Sequence, residues 1–128
     1  MSRTQKQEFG AWGEQQAAEY LVKRGYNIID RNYKVKKGEI DIIAWHTKYH
    51  HGRTLCFIEV KTRGEDDGEA ERATQGKKLP RFFQAARSYC LDKLIPMDRT
   101  PMQFEQVSVY AEDMSQKPEF RQYVIPVE

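Results

Sequence analysis

The chain has 128 residues, about the modal length of one domain, with 21 basic and 19 acidic residues and a formal net charge of +2. Apolar residues make up 39% and charged residues 31%. That balance excludes a charge-dominated unfolded chain, and it supplies one core without a metal or disulfide to brace it. No run approaches the roughly 20 apolar residues of a membrane helix, and the polar start, Met1 to Glu8, lacks the apolar stretch of a secretory signal. Cys56 and Cys90 show no Cys-x-x-Cys spacing. A single domain over residues 1–128 is therefore expected, cytoplasmic, with two buried free thiols and no membrane partner.

Phe9, Trp12, Gly13, Gln16, Ala17, Tyr20 and Leu21 recur at steps of three and four. This predicts a helix over Thr4 to Arg24 with one apolar face. Gly10 and Gly13 suit close packing of that helix, and Trp12 suits the core. Lys23 and Arg24 fit the negative end of the helix dipole, and Gly25 fits the position just past its end. Tyr26 to Val35 reads as a first strand, Lys36 to Gly38 as a turn, and Ile40 to Trp45 as a strongly apolar second strand. Thr47 to Arg53 is polar, contains Gly52 and reads as a loop. Leu55 to Thr62 is rich in β-formers and reads as a third strand.

Arg63 to Gly76 is charged, carries Gly64, Gly68 and Gly76, and reads as a mobile surface loop. A second helix is expected over Leu79 to Leu94. Leu79, Phe82, Phe83, Ala86, Tyr89, Cys90 and Leu94 form its buried stripe, and Pro80 sits in the first turn. Gln103 to Tyr110 reads as a fourth strand. Arg121 to Val127 reads as a weaker fifth, which Pro126 confines to an edge or an end. The order helix, three strands, helix, one or two strands predicts an α/β fold in which helices flank a mixed sheet.

Chemistry concentrates in Gly38 to Ala44 and Phe57 to Arg63. Strand alternation groups Asp41 with Glu39, Ile43 and Trp45, and groups Glu59 with Phe57 and Lys61; Ile40, Ile42 and Ala44 then share the other face. The two segments should pair as an antiparallel hairpin. A loop centred near His50 sets Asp41 opposite Glu59, with Cβ atoms about 4.5–5.5 Å apart, and a slip of one residue would break that arrangement. Two carboxylates so close repel each other, and a divalent cation relieves the repulsion. Oxygen donors favour Mg2+ or Mn2+ over zinc, and the Val60 carbonyl can complete the ligand set. Such an ion polarises a phosphodiester and acidifies water, while Lys61 can orient that water and offset developing negative charge. The same three side chains also suit a salt-bridge cluster on a solvated sheet face.

The combined segments resemble the Asp…(Asp/Glu)-x-Lys core of the PD-(D/E)xK nuclease superfamily, and more closely the YraN-like bacterial family. The resemblance rests on Gly10-x-x-Gly13-Glu14, on Gly38-Glu39-Ile40-Asp41, on Glu59-Val60-Lys61-Thr62-Arg63, and on Lys78 followed by Ala85 and Ala86. It implies a restriction-endonuclease-like fold and a Mg2+-dependent phosphodiesterase acting on DNA, with branched or flapped structures in view. It makes Asp41 and Glu59 metal ligands, Lys61 the water-positioning group, and Glu14 an additional helix carboxylate. Ile40 stands where the superfamily motif carries proline.

Nucleic acid is the partner this implies. Arg63, Lys78, Arg81 and Lys37 are the candidate phosphate contacts, the last three drawn from the basic clusters at Arg31 to Lys37 and Arg72 to Arg81. A homodimer would double that patch. A nucleic-acid-binding module that does not cut, and a structural or adaptor protein, are the competing functions. His46, His50 and His51 lack a fourth zinc ligand at an obvious spacing. Trp45, Tyr49 and Tyr33 suit packing better than base stacking.

Overall fold

The computed structural model describes residues 2–64 and 78–127. Helix α1 spans Arg3–Lys23. Ser2 caps it reciprocally: Ser2 Oγ accepts the Gln5 N–H at 3.1 Å, and Gln5 Oε1 accepts the Ser2 N–H at 2.7 Å. Strands β1 (Asn27–Val35), β2 (Gly38–Lys48) and β3 (Gly52–Arg63) follow. Then come helix α2 (Lys78–Asp92), strand β4 (Met102–Tyr110) and strand β5 (Glu119–Ile125). The expected loop across Thr47 to Arg53 is shorter than the sequence suggested. Both strands continue through its polar residues to Lys48 and Gly52, because at the open end of a hairpin the ladder needs hydrogen bonds, not apolar side chains. Gly52, at φ +67, supplies the left-handed residue at the close of the turn.

The five strands lie in the order β1-β2-β3-β4-β5. Only β3 and β4 run parallel, and α2 lies in the crossover between them. The sheet is mixed and has a helix on each face, consistent with the restriction-endonuclease-like architecture. Ala17, Ala18 and Leu21 of α1 pack on Ile42, Ala44, Cys56, Ile58, Val107 and Val109. Phe82, Ala85, Ala86, Tyr89 and Cys90 of α2 pack on Ile40, Ile43, Leu55 and Phe57. Both cysteines are buried and free. Among the described residues no helix is long and apolar enough to cross a membrane. The loop expected over Arg63 to Gly76, with its acidic stretch, falls almost entirely outside the described residues.

Both helices end in the same hydrogen-bond pattern. After α1, the Gly25 N–H donates to the Val22 carbonyl and the Tyr26 N–H to the Leu21 carbonyl, both at 3.0 Å, with Gly25 at φ +91. After α2, the Leu94 N–H reaches the Leu91 carbonyl at 3.4 Å and the Ile95 N–H the Cys90 carbonyl at 2.8 Å. Here Leu94 occupies the glycine position, at φ +56, and is 88% exposed. The sequence placed Leu94 in the buried stripe. It lies outside because the helix has already terminated, and Ile95 takes the inward contact instead.

A left-handed leucine costs about 1–2 kcal/mol relative to a right-handed one, and this leucine recovers little by burial. Leu94→Gly should therefore stabilise the protein by about 1 kcal/mol, a rise of roughly 3–5 °C in Tm by calorimetry. A Tm at or below that of the parent would mean that Leu94 bears no backbone strain.

Candidate functional site

The β2–β3 ladder runs from Lys48↔Gly52 to Ile42↔Ile58 and is centred on position 50 throughout, as the hairpin reading expected. Asp41 and Glu59 come directly after the last pair of that ladder, Ile42 and Ile58. There the ordinary backbone pattern gives way to a side chain: Asp41 Oδ2 accepts the Val60 N–H at 2.8 Å.

Alternation also breaks at this point, which corrects the expected facing. Ile40 packs toward α2 together with Ile43, while Ile42 and Ala44 pack toward α1. The opposite strand breaks in step. Arg31 reaches α1, Tyr33 packs edge-on against Tyr89 of α2, and between them Asn32 adopts φ +54. Because Arg31 pairs with Ile42 and Tyr33 with Ile40, Asn32 and Asp41 occupy matching positions in the break. Asp41 is thereby turned out of the Ile43 face into a hollow of about 590 Å3 under α1.

Lys6, Gly10 and Glu14 of α1 line that hollow, as do Lys61 and Arg63 of β3. Glu14 is oriented by Arg31, whose guanidinium lies 3.3 Å from Glu14 Oε1 and donates to Gln15 Oε1 at 2.9 Å. Glu59 lines a second hollow of about 280 Å3 on the α2 side, with Gly38, Glu39 and Arg81. The Lys61 ammonium lies 2.9 Å from Glu59 Oε1, and both side chains are largely buried. Arg81 Nε donates to the Lys37 carbonyl at 3.3 Å, tying those two candidate contacts together. Lys78 opens α2, and its side chain is outside the described set.

Two glycines let both helices approach this end of the sheet. A Cβ on Gly13 would collide with the Thr62 side chain, and one on Gly38 would collide with the Arg81 backbone carbonyl.

Burial, followed by the nearby charge of Glu59, pushes the Asp41 carboxyl up to about 7. The Val60 N–H opposes that rise, and Glu14 and Glu39 add to it.

Sequence reasoning missed a second buried carboxylate, Glu105, which is 1% exposed. It receives hydrogen bonds from the Tyr26 hydroxyl at 2.6 Å, Gln122 Nε2 at 2.6 Å and Gln103 Nε2 at 3.0 Å. Lys48 Nζ lies 3.0 Å away. Of the three histidines, His46 stacks on Tyr26 at 3.8 Å between ring centres, with Nε2 3.0 Å from the Arg24 carbonyl oxygen. Trp45 takes the Arg53 guanidinium over its ring at 4.0 Å, and Tyr49 is 95% exposed.

In the unfolded chain Asp41 titrates near 3.8, and in the folded chain near 7. Between those values the folded state holds a proton that the unfolded state has lost. Stability should therefore fall as pH rises through that window, with the loss complete above it. Asp41→Asn keeps an acceptor for the Val60 N–H and has no such proton. Its unfolding midpoint in urea should hold steady from pH 4 to pH 8 relative to the parent and be higher than the parent's at pH 8. Parallel pH profiles for the two proteins would refute a raised Asp41.

A family model described as uncharacterised protein family UPF0102 matches residues 13–109. A UPF0102 protein of Chlorobium phaeobacteroides is 41% identical over 109 residues, which is 84% of this chain and 80% of that one. Relatives from Syntrophotalea carbinolica and Syntrophomonas wolfei are 37% and 35% identical, over 82% and 86% of this chain and 80% and 90% of their own lengths. These matches bear out the YraN-like resemblance, and the chain belongs to the uncharacterised protein family UPF0102.

Proposed function

We propose that the protein is a metal-dependent endonuclease of the PD-(D/E)xK type that hydrolyses DNA phosphodiester bonds, with branched or flapped DNA as the first substrates to try. The observation that carries this reading is the placement of Asp41. Its carboxyl accepts the Val60 N–H at the point where two strands part, within reach of the Glu59 charge and beside the Glu59–Lys61 couple. A purely structural carboxylate would be better compensated.

The donor set fits a hard cation. It consists of oxygens, and the Asp41 carboxyl resists ionisation until positive charge arrives. Among the described residues no group of three His, Cys, Asp or Glu side chains is placed to hold a metal. Mg2+ keeps several waters and uses one or two carboxylates, whereas zinc and calcium take a fuller protein cage. Asp41, with the Val60 carbonyl, would hold the ion, and Glu59, which lines the neighbouring hollow beside Lys61, would be the second carboxylate. When bound, it would supply Lewis-acid polarisation of the phosphodiester and a more acidic water.

The chain's own residues supply the remainder. The Val60 N–H fixes the Asp41 oxygen. Glu59 fixes the Lys61 ammonium, which orients the attacking water and offsets the negative charge that grows on phosphorus-bound oxygens. Arg31 holds Glu14 at the wall of the same hollow, where the carboxylate can take a proton from the water. Lys37 and Arg81, on the α2 side, face the flanking backbone.

The direct Glu59–Lys61 ion pair also favours a second reading, a DNA-binding module that does not cut, because each partner there satisfies the other.

Cleavage assays with Mn2+ or Mg2+ on linear, nicked, flapped and four-way DNA separate the two. Cutting is expected on at least one substrate, and EDTA should stop it. Asp41→Asn and Lys61→Ala should each lower the rate at least 100-fold with an unchanged circular dichroism spectrum. Wild-type protein that binds these DNAs but cuts none of them would sink the nuclease reading in favour of the binding module.

A further inference from the structure

Gly10 is a helical glycine that its described neighbours do not require. It is the eighth residue of α1, where glycine weakens a helix relative to alanine. Gly13 and Gly38 are each required by a close neighbour, but a Cβ on Gly10 would meet nothing within 4 Å. Nor does Gly10 adopt the positive φ seen at Gly25 and Gly52. It forms part of the wall of the Asp41 hollow and is exposed among the described residues.

Arg63 lines the same hollow. Its Nε is shut off from solvent and has no hydrogen-bond partner among the described residues. A buried guanidinium N–H without an acceptor is costly, and a planar guanidinium is best satisfied by paired oxygens such as those of a phosphate. Lys6 lies four residues before Gly10, hence on the same side of α1, and is exposed at the rim. Of the acidic residues that line the hollow, Glu14 is engaged by Arg31, Asp41 accepts the Val60 N–H, and Glu112 is exposed.

We propose that Gly10 and Arg63 form a subsite for a backbone phosphate of DNA next to the bond that is cut, with the bare helix at Gly10 giving the strand room and Arg63 gripping its oxygens. This deepens the DNA-directed reading above and rests on it. Gly10 is thus a specificity-determining residue and Arg63 a binding residue.

The test is fluorescence anisotropy with a labelled DNA 20-mer, single-stranded and duplex, in EDTA so that nothing is cut. Gly10→Ala should melt at the same temperature as the parent or higher, yet bind about tenfold more weakly. Arg63→Gln should also bind about tenfold more weakly, and its log–log salt slope should be shallower by about 1. Lys23→Gln removes an equal charge at the far end of α1 and should leave affinity unchanged. Parental affinity in Gly10→Ala, or an Arg63→Gln loss no larger than that of Lys23→Gln, would overturn the subsite. So would wild-type protein that binds neither oligonucleotide at low salt. The two readings fail separately: weakened binding in both variants without any cleavage by the parent keeps the subsite and removes the nuclease, while cleavage by the parent with normal binding by both variants does the reverse.

Discussion

The hydrogen bond from the Val60 N–H to Asp41 Oδ2 organises this end of the molecule. Backbone N–H groups inside a sheet must find acceptors, and in an unbroken hairpin Val60 would find one on the backbone of β2. A side-chain oxygen serves here instead. The exchange lets the two strands part without leaving a donor unsatisfied, and it fixes a carboxylate where the chain would otherwise carry an ordinary outward side chain. Several features depend on it. Ile40 can turn toward α2 while Ile42 turns toward α1. Asn32 adopts its left-handed conformation in the matching position of β1. The glycine at position 13 and the one at position 38 then bring a helix close on each face, so the parted strands are enclosed by protein on both sides.

The hairpin register was legible in the sequence because two features agreed on it. A polar, glycine-containing segment centred near His50 separates two apolar runs, and that centre fixes every later pair from Lys48↔Gly52 to Ile42↔Ile58. The side of the sheet on which Asp41 lies was not legible. A strand covered by a helix on each face carries apolar residues at successive positions. Ile40, Ile42 and Ile43 therefore suit either face and cannot report a break in alternation between them. The signal that would reveal it is a backbone conformation at Asn32, and asparagine in a strand is too common to announce one. Leu94 is a similar case. Hydrophobic spacing counts it with the buried stripe, but the hydrogen bonds that end α2 leave it facing solvent. Glu105 went unnoticed because Gln103, Glu105 and Gln106 give β4 the polar look of an exposed strand end. Its partners arrive from Tyr26, Lys48 and Gln122, which are far apart in sequence.

Glu105 is a useful internal control for Asp41. Each is an acidic side chain on a strand beneath α1, and burial opposes ionisation of both. Around Glu105 the Tyr26 hydroxyl, the Lys48 ammonium and the Gln122 amide outweigh burial, so its carboxyl stays below the usual glutamate range. Around Asp41 the Val60 N–H opposes burial, while Glu59, Glu14 and Glu39 all push the other way, and the carboxyl rises to about 7. Burial alone therefore does not distinguish the two; the donor supply does. At the far end of β2, Glu105 meets donors from Tyr26, Gln103 and Gln122 and the Lys48 ammonium. The Asp41 end lies beside a solvent-reachable hollow that Arg63 also lines, and the buried Arg63 Nε has no hydrogen-bond partner among the described residues. Under the proposed function, a ligand that brings a cation and a phosphate together would meet the Asp41 carboxyl and the Arg63 guanidinium in that one hollow.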